Sequence, residues 1–463
     1  MAGEFQFVSI RLKDDTTDKA RRNRARSHAV KKALESKRRH QQLARSNFVN
    51  ITMADHDHIV ETAKPPPITK TAPLFSPFSG ALDPFQSLAV DSSRLQVLLG
   101  DYRARQAPEP VFSVADELAF QSFGSVFRTG FDDPALVNAV MLTLSLAVTG
   151  GNMDHECLKY QGQALLYIRQ RIAIVHKAAS EATIGAILLI AGVVARLGQT
   201  AQVELHMGAV QQLLRICQRN SVHLAPGIKR AIFWQDLNSS ILSGAKRIFD
   251  HRTFAELSWT RDAFAPNSYR LPPGFQSRPH IISAEFGAIL EDLHALQCIR
   301  NTFPRTPPRA DAMRMLFINN QTASVQSRLA ALSDLSPLQE CCRLAAYLCS
   351  VTLCCKVWCE LVIPSHISSQ LLDRLRQVHG EIMYEEDSDL LIWLLYIGGA
   401  FAPGGPIRSG YMDLLRTSNA RLNRRYYSWS EVHECVRRFI WSDNAFVVPV
   451  RRLWLEVSQS GCT

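Results

Sequence analysis

The first 156 residues of this 463-residue chain contain no cysteine. No thiolate zinc site can therefore be built in that third of the sequence. The 11 cysteines are an odd number without framework spacing, which fits a reducing compartment better than secretion. The N-terminus lacks the apolar core of a signal peptide. Long apolar runs are also missing: the longest uncharged windows, 134–153 and 390–407, are interrupted by Gly or Pro. A membrane span needs about 20 predominantly apolar residues, so both windows read as buried helices ending in loops. No phosphate-binding glycine loop, Gly-x-Ser-x-Gly elbow or dinucleotide fingerprint occurs. Convincing period-two alternation is absent from about Ser92 onward.

What is present is helix after helix. In 181–217, Ile184, Ile187, Leu188, Ala191, Val194 and Ala195 recur at three and four residues. Val203, Met207, Val210, Leu214 and Cys217 repeat the pattern after Gly198. Ser180 and Thr200 stand where N-caps belong, and Gly198 can take the left-handed conformation that ends a helix. The stretch predicts two antiparallel helices with a tight joint. The first is apolar nearly all round, so other helices must enclose it.

The same reading predicts further helices near 92–104, 112–128, 134–148, 154–176, 227–249, 281–300, 311–332, 337–361, 367–384, 388–401, 408–418, 429–441 and 446–458. Gly150-Gly151, Pro226-Gly227, Pro364 and Gly404-Gly405 punctuate them. The proline-bearing segment 254–279 is too long for a simple connector, and it is expected to lie over the body through Trp259, Phe264, Tyr269 and Phe275. No fixed-period repeat supports a solenoid. The fold expected for 82–463 is all-α, an irregular multi-helix array of antiparallel helices.

The net charge of +10 is unevenly spread. Residues 1–50 hold 13 Lys/Arg against 5 Asp/Glu, while the remaining 39 basic and 37 acidic residues nearly cancel. Arg21, Arg22, Arg24, Arg26, Lys31, Lys32, Lys37, Arg38 and Arg39 concentrate this surplus, opposed only by Glu35. Ala29, Ala33 and Leu43 make too thin an apolar stripe to pack, so 1–50 reads as a disordered basic arm. Residues 51–81 read as a linker kept extended by Pro65, Pro66, Pro67, Pro73 and Pro77. Leu82, Phe85 and Leu88 are expected to dock its end onto the body. The arm suits phosphate neutralisation or nuclear import, but it frames no base readout.

Candidate chemistry elsewhere has plainer explanations. Cys341, Cys342, Cys349, Cys354, Cys355 and Cys359 lie in a helix-like apolar run, where consecutive side chains point about 100° apart and cannot share an ion. They read as small buried hydrophobes. Asp55-His56-Asp57-His58 falls in the linker, where nothing fixes a ligand geometry. His206 sits between apolar helical positions and reads as a packed or capping residue. Glu385-Glu386-Asp387-Ser388-Asp389 reads as N-terminal charge and a cap for the helix that follows. The triplets ending at Cys157 and Cys435 lack the second His of a zinc-protease helix. No metal, cofactor or catalytic residue is expected.

Several stretches together resemble the fungal-specific transcription factor domain family. The order runs Phe5-Gln6-Phe7-Val8, Arg26-Ser27-His28-Ala29 with basic residues after it, and Leu82-Asp83-Pro84-Phe85. Within the body come Glu181-Ala182-Thr183-Ile184-Gly185-Ala186-Ile187, then His206-Met207-Gly208-Ala209-Val210-Gln211-Gln212-Leu213. Trp393-Leu394-Leu395-Tyr396-Ile397-Gly398-Gly399 is similar to that family's tryptophan-to-glycine stretch. The likeness spans roughly 80–460. It implies an all-helical regulatory body, a nuclear location and a role in transcription, for instance of a metabolic gene cluster. Partners so implied are other transcription factors or co-regulators, import machinery and a second copy or related chain, with weak non-specific DNA contact. Better-known members carry an N-terminal two-zinc, six-cysteine cluster, and this chain has no cysteines to form one there.

Three readings follow: a nuclear regulator without its own zinc cluster, a helical adaptor not acting on DNA, and a helical enzyme without recognisable motifs. Elemental analysis of the purified protein is expected to return no stoichiometric zinc. One or two ions per chain would overturn the reading of the cysteines.

Overall fold

The computed structural model describes residues 88–105, 133–173, 179–262, 266–302, 312–353, 362–378, 387–421 and 428–459. All belong to one compact unit, Thr71–Thr463. Among the described residues the protein is all-α, with no strand and no helix long and apolar enough to cross a membrane. The helices of eight residues or more begin with α1 (Ser92–Gly100), α2 (Pro134–Val148), α3 (His155–Ile172), α4 (Glu181–Arg196), α5 (Thr200–Arg219) and α6 (Pro226–Ser243). They continue with α7 (Ala284–Thr302), α8 (Ala312–Ala331), α9 (Pro337–Leu353) and α10 (Val362–Val378). The last four are α11 (Ser388–Ala400), α12 (Pro406–Arg421), α13 (Trp429–Val436) and α14 (Asp443–Gln459).

Two of these helices organise the rest. Every residue of α4 from Thr183 to Ala195 is buried, and α2, α3, α5 and α6 surround it. Every residue of α11 from Ser388 to Gly399 is buried as well, enclosed by α9, α10, α12, α13 and α14. Each builds its own hydrophobic core. The joint after α4 is as expected: Ser180 Oγ accepts from Thr183 N at 3.2 Å, and Gly198 takes φ +68° before α5 turns back. Asp133 and Asp154 cap α2 and α3, and Ser428 with Glu431 forms a reciprocal capping box on α13.

The second core depends on absent side chains. Tyr411 packs flat on α11, and a Cβ at Gly398 would lie 2.6 Å from Tyr411 Cε1. Tyr411 Oη donates to Ser368 O at 2.7 Å, and Ser368 Oγ donates to Gly398 O at 2.8 Å. Three helices are thereby joined at one point. Segment 254–279 lies on the body as expected, with Phe275 meeting Trp393 edge-on at 5.5 Å and Phe439 at 5.1 Å. Trp259 stacks obliquely with Tyr269 and Phe317. Leu88 packs against the first core. Phe264, Leu82, Phe85, the helix near 112–128 and the continuation of α9 past Leu353 lie outside the described residues.

Four local expectations need correction. Thr200 is not an N-cap: Gln199 occupies that position without a side-chain bond, and Thr200 Oγ1 donates instead to Ser243 O at 2.5 Å. The helix expected to reach 249 stops at Ser243, because Gly244 takes φ +71° and the chain leaves as an extended strap. Pro364 does not precede its helix but sits in the first turn of α10, which begins at Val362, where a missing N–H costs nothing. Asp387 and Asp389 do not cap α11 through their side chains. Asp387 accepts from Arg278 Nε at 2.8 Å, and Asp389 pairs with Arg438.

Two glycine substitutions separate packing from propensity. Gly398→Ala should destabilise the protein by about 1–3 kcal/mol, the usual cost of overpacking a core. Gly208→Ala on α5, where an added Cβ meets nothing within 4 Å, should stabilise it by about 1 kcal/mol. Denaturant melts followed by circular dichroism distinguish these outcomes. Equal effects of one sign would contradict the packing described.

Candidate functional site

The nine basic residues singled out from sequence, Arg21 to Arg39, lie outside the described residues, as do His56, His58, Cys354, Cys355 and Cys359. Cys341, Cys342 and Cys349 are buried in α9, and burial pushes the Cys341 thiol up to about 12. His206 is partly buried on α5, which lowers its proton affinity. Glu156 of the first His-Glu-Cys triplet is bound bidentately by Arg94, at 2.7 and 2.6 Å. His433 of the second stacks on Trp429, and its Nε2 lies 3.0 Å from Asp443 Oδ1. Among the described residues no group of three or more His, Cys, Asp and Glu could hold a metal ion.

Four ionisable groups shifted mainly by burial, Arg230, Asp236, Arg247 and His251, come together at a place the sequence did not suggest, the seam between the two cores. Helix α8 reads Asn319-Asn320-Gln321-Thr322-Ala323-Ser324-Val325-Gln326-Ser327-Arg328, and Asn320 to Ser327 are buried throughout. Its apolar residues serve both sides: Ala323 joins the first core, while Ile318, Val325 and Leu329 join the second. Facing it is α6, with the strap 244–250 folded back along it.

Asp236 holds that strap. Its Oδ2 accepts from Ile248 N at 3.0 Å and Phe249 N at 2.9 Å. The strap in turn aims Arg247 across the seam, where Nη1 donates to Ser327 O and Ser327 Oγ, each at 3.1 Å. Ser327 Oγ also accepts from His251 N at 3.3 Å and lies 3.1 Å from His251 Nδ1. At the other end of α6, Arg230 Nη1 donates to Asn319 Oδ1 at 2.9 Å and Asn320 Oδ1 at 2.7 Å. Its Nη2 donates to the Glu256 carbonyl, and Asn320 Nδ2 reaches the Glu256 and Ser258 carbonyls.

The electrostatics of this seam are unusual for a folded interior. Arg230 is 7% exposed, yet it donates to the Asn319 and Asn320 side-chain oxygens and the Glu256 carbonyl, all neutral, rather than to a carboxylate. Glu256 instead pairs with Lys229 at 2.5 Å. Arg247 Nε stands 3.9 Å from Asp236 Oδ2, too far for a hydrogen bond. Desolvation therefore dominates over pairing. Burial pushes Asp236 up to about 6 and lowers Arg230, Arg247 and His251. Gln235 Oε1, Asn238 Nδ2 and Arg247 Nε are buried on the α6 side without a hydrogen-bond partner. Beyond the seam, Asp292 anchors Arg261 at 2.7 Å and Arg328 at 2.5 Å, and Gln321 Nε2 donates to Asp292 O.

The one available sequence signal was negative. A polar run as long as 319–328 within a helix between apolar ones implies either a solvated face or a satisfied buried network, and the pattern alone does not distinguish them. No family model, curated protein or solved structure matches the chain.

Asp236 gives this seam a pH signature. Its proton is held more tightly in the folded protein than in the unfolded chain, so the folded state binds more protons between about pH 4 and 6. The resulting penalty is absent below the unfolded value and complete above the folded one. Relative to the parent, Asp236→Asn should therefore gain about 3 kcal/mol of stability between pH 4 and pH 7, at about 1.4 kcal/mol per tenfold change in proton affinity. Reversible denaturation across that range measures it. A difference that stays flat with pH would mean that Asp236 is not desolvated.

Proposed function

We propose that the chain is a nuclear transcriptional regulator in which the basic arm serves import and weak phosphate contact while the helical body binds partners. The carrying observation is the charge split, a surplus of basic residues confined to 1–50 beside a body of nearly balanced charge. The family resemblance supports the same reading, with control of a metabolic gene cluster as the corresponding biological role. Its body stretches coincide with α4, α5 and α11, the helices on which both cores are built. The body also carries exposed apolar side chains suited to partner contact, including Leu205 at 69% and Leu158 at 55%.

A tethered cationic chain finds polyanions but gains little specificity, because phosphate contacts carry no base information. Such binding has dissociation constants on the order of 10⁻⁴ to 10⁻⁶ M and weakens steeply with salt. Specific targeting would then come from other transcription factors or co-regulators, or from a homo- or heterodimeric partner of this body.

Replacing Arg21, Arg22, Arg24, Arg26, Lys37, Arg38 and Arg39 with Gln should abolish nuclear accumulation and flatten the salt dependence of DNA binding. The melting temperature and helicity of the body should stay unchanged. A substituted protein that remains nuclear and binds one DNA sequence at nanomolar affinity would move recognition into the body. A protein excluded from the nucleus in both forms would favour a helical adaptor that does not act on DNA, a reading the exposed apolar side chains also suit.

A further inference from the structure

We infer that the body is a two-part hinge, with α6 and α8 forming a polar latch that opens while both hydrophobic cores stay closed. The inference is independent of whether the body acts on chromatin. Its first support is the narrowness of the seam. The main contacts from the α4-centred half to the α11-centred half run from α6 to α8 and α10, and from the turn Ala255–Leu257 to α8. Each half keeps a closed apolar core around its own central helix. Separating the halves away from the Ile241, Leu242 and Ala330 contacts withdraws Ala323 from the first core and leaves the rest of both cores in place.

The second support is the gradient of chemistry along the seam. At the C-terminal end of α6, Ile241 and Leu242 pack against both cores, as does Ala330 at the end of α8. These apolar contacts form the pivot. Toward the other end the rungs are polar: Arg247 and His251 on Ser327, then Arg230 on Asn319 and Asn320, then Asn320 on the Glu256 and Ser258 carbonyls. Water can replace every one of those bonds, so opening there costs their small net worth and the apolar contact that Ala323 makes with the first core, the one apolar α8 residue of that stretch that joins it.

The third support is that closure is costly to the groups it buries. Arg230 is desolvated with its hydrogen bonds on neutral oxygens, and Arg247 with its carboxylate partner Asp236 held off at 3.9 Å and its Nε without a hydrogen bond. Rehydration on opening relieves these penalties. Other charged groups at the seam are Lys229 and Glu256, which pair with each other, Asp236, Asp250 and Arg252 on the strap side, and Arg328, held by Asp292. An effector or partner that binds the open or closed form more tightly would shift the balance between them.

Thiol accessibility tests the hinge on the full chain. Ala323 is fully buried at the seam, and Cys157 and Cys349 are native references, fully buried within the first and second cores. Ala323→Cys is treated with N-ethylmaleimide under native conditions, and labelling at each cysteine is followed by peptide mass spectrometry. The introduced thiol should react at least tenfold faster than Cys157 and Cys349. Adding Arg230→Met should accelerate it severalfold further and leave both references unchanged. If Ala323→Cys does not fold, the nearly isosteric Ser327→Cys takes its place. An introduced thiol that reacts as slowly as the references would overturn the hinge. So would Arg230→Met accelerating all three sites alike, since the body would then open as one cooperative unit.

Discussion

Two helices that are apolar on every side impose the architecture. A helix with one apolar stripe can rest on a surface, but α4 and α11 have no side fit for water. Each must be enclosed by a shell of neighbours, and a shell around one rod cannot also surround a second. The chain solves this by packing α2, α3, α5 and α6 about α4 and α9, α10 and α12–α14 about α11. Two cores rather than one follow directly, and so does a boundary between them. That boundary is made by shell helices, whose outward faces are polar.

Helix α8 shows what a boundary helix requires. Its residues 319–328 would suit a solvated surface, yet most are buried, because several neighbours supply partners: Arg230 of α6 for Asn319 and Asn320, Arg247 and His251 of the strap for Ser327, the Asp292 carbonyl of α7 for Gln321, and Tyr347 of α9 for Gln326. Arg230 and Arg247 act as reach-across groups: a guanidinium has donors enough to satisfy two or three neutral oxygens at once. The cost is desolvation of charge with little Coulombic return, visible in the upward push on Asp236 and the downward push on both arginines. A seam so built specifies the register of the halves more than it stabilises them.

The helices were legible in the sequence where one residue decides a local geometry. Ser180, Gly198 and the apolar run 390–397 announce their roles without tertiary context. The failures are equally instructive. Thr200 looked like a cap, but its hydroxyl has a better acceptor in Ser243 O, brought close only by folding. Asp387 and Asp389 do supply charge at the start of α11, but the expected side-chain cap is missing, because Arg278 arrives from a distant position to take the Asp387 carboxylate. The seam was invisible for the same reason. Nothing near Arg230 in sequence foretells Asn319 and Asn320, about 90 residues away.

Two of the stretches on which a family resemblance was expected lie on α4 and α11, the helices enclosed on every side, and this limits what such a resemblance could transfer. Those are the positions with the strictest packing demands: Gly398 and Gly399 are small because Tyr411 and Leu453 occupy the space a side chain would need. Trp393 is fixed by Phe275, Phe439 and the Ile440 carbonyl. Such residues identify a way of building two helical cores, and a scaffold does not by itself carry an activity. Sites of activity are therefore better sought where those demands are weaker. Among the described residues, the exposed apolar side chains and the polar seam are two such places. The seam is the one through which events at a surface could reach both cores.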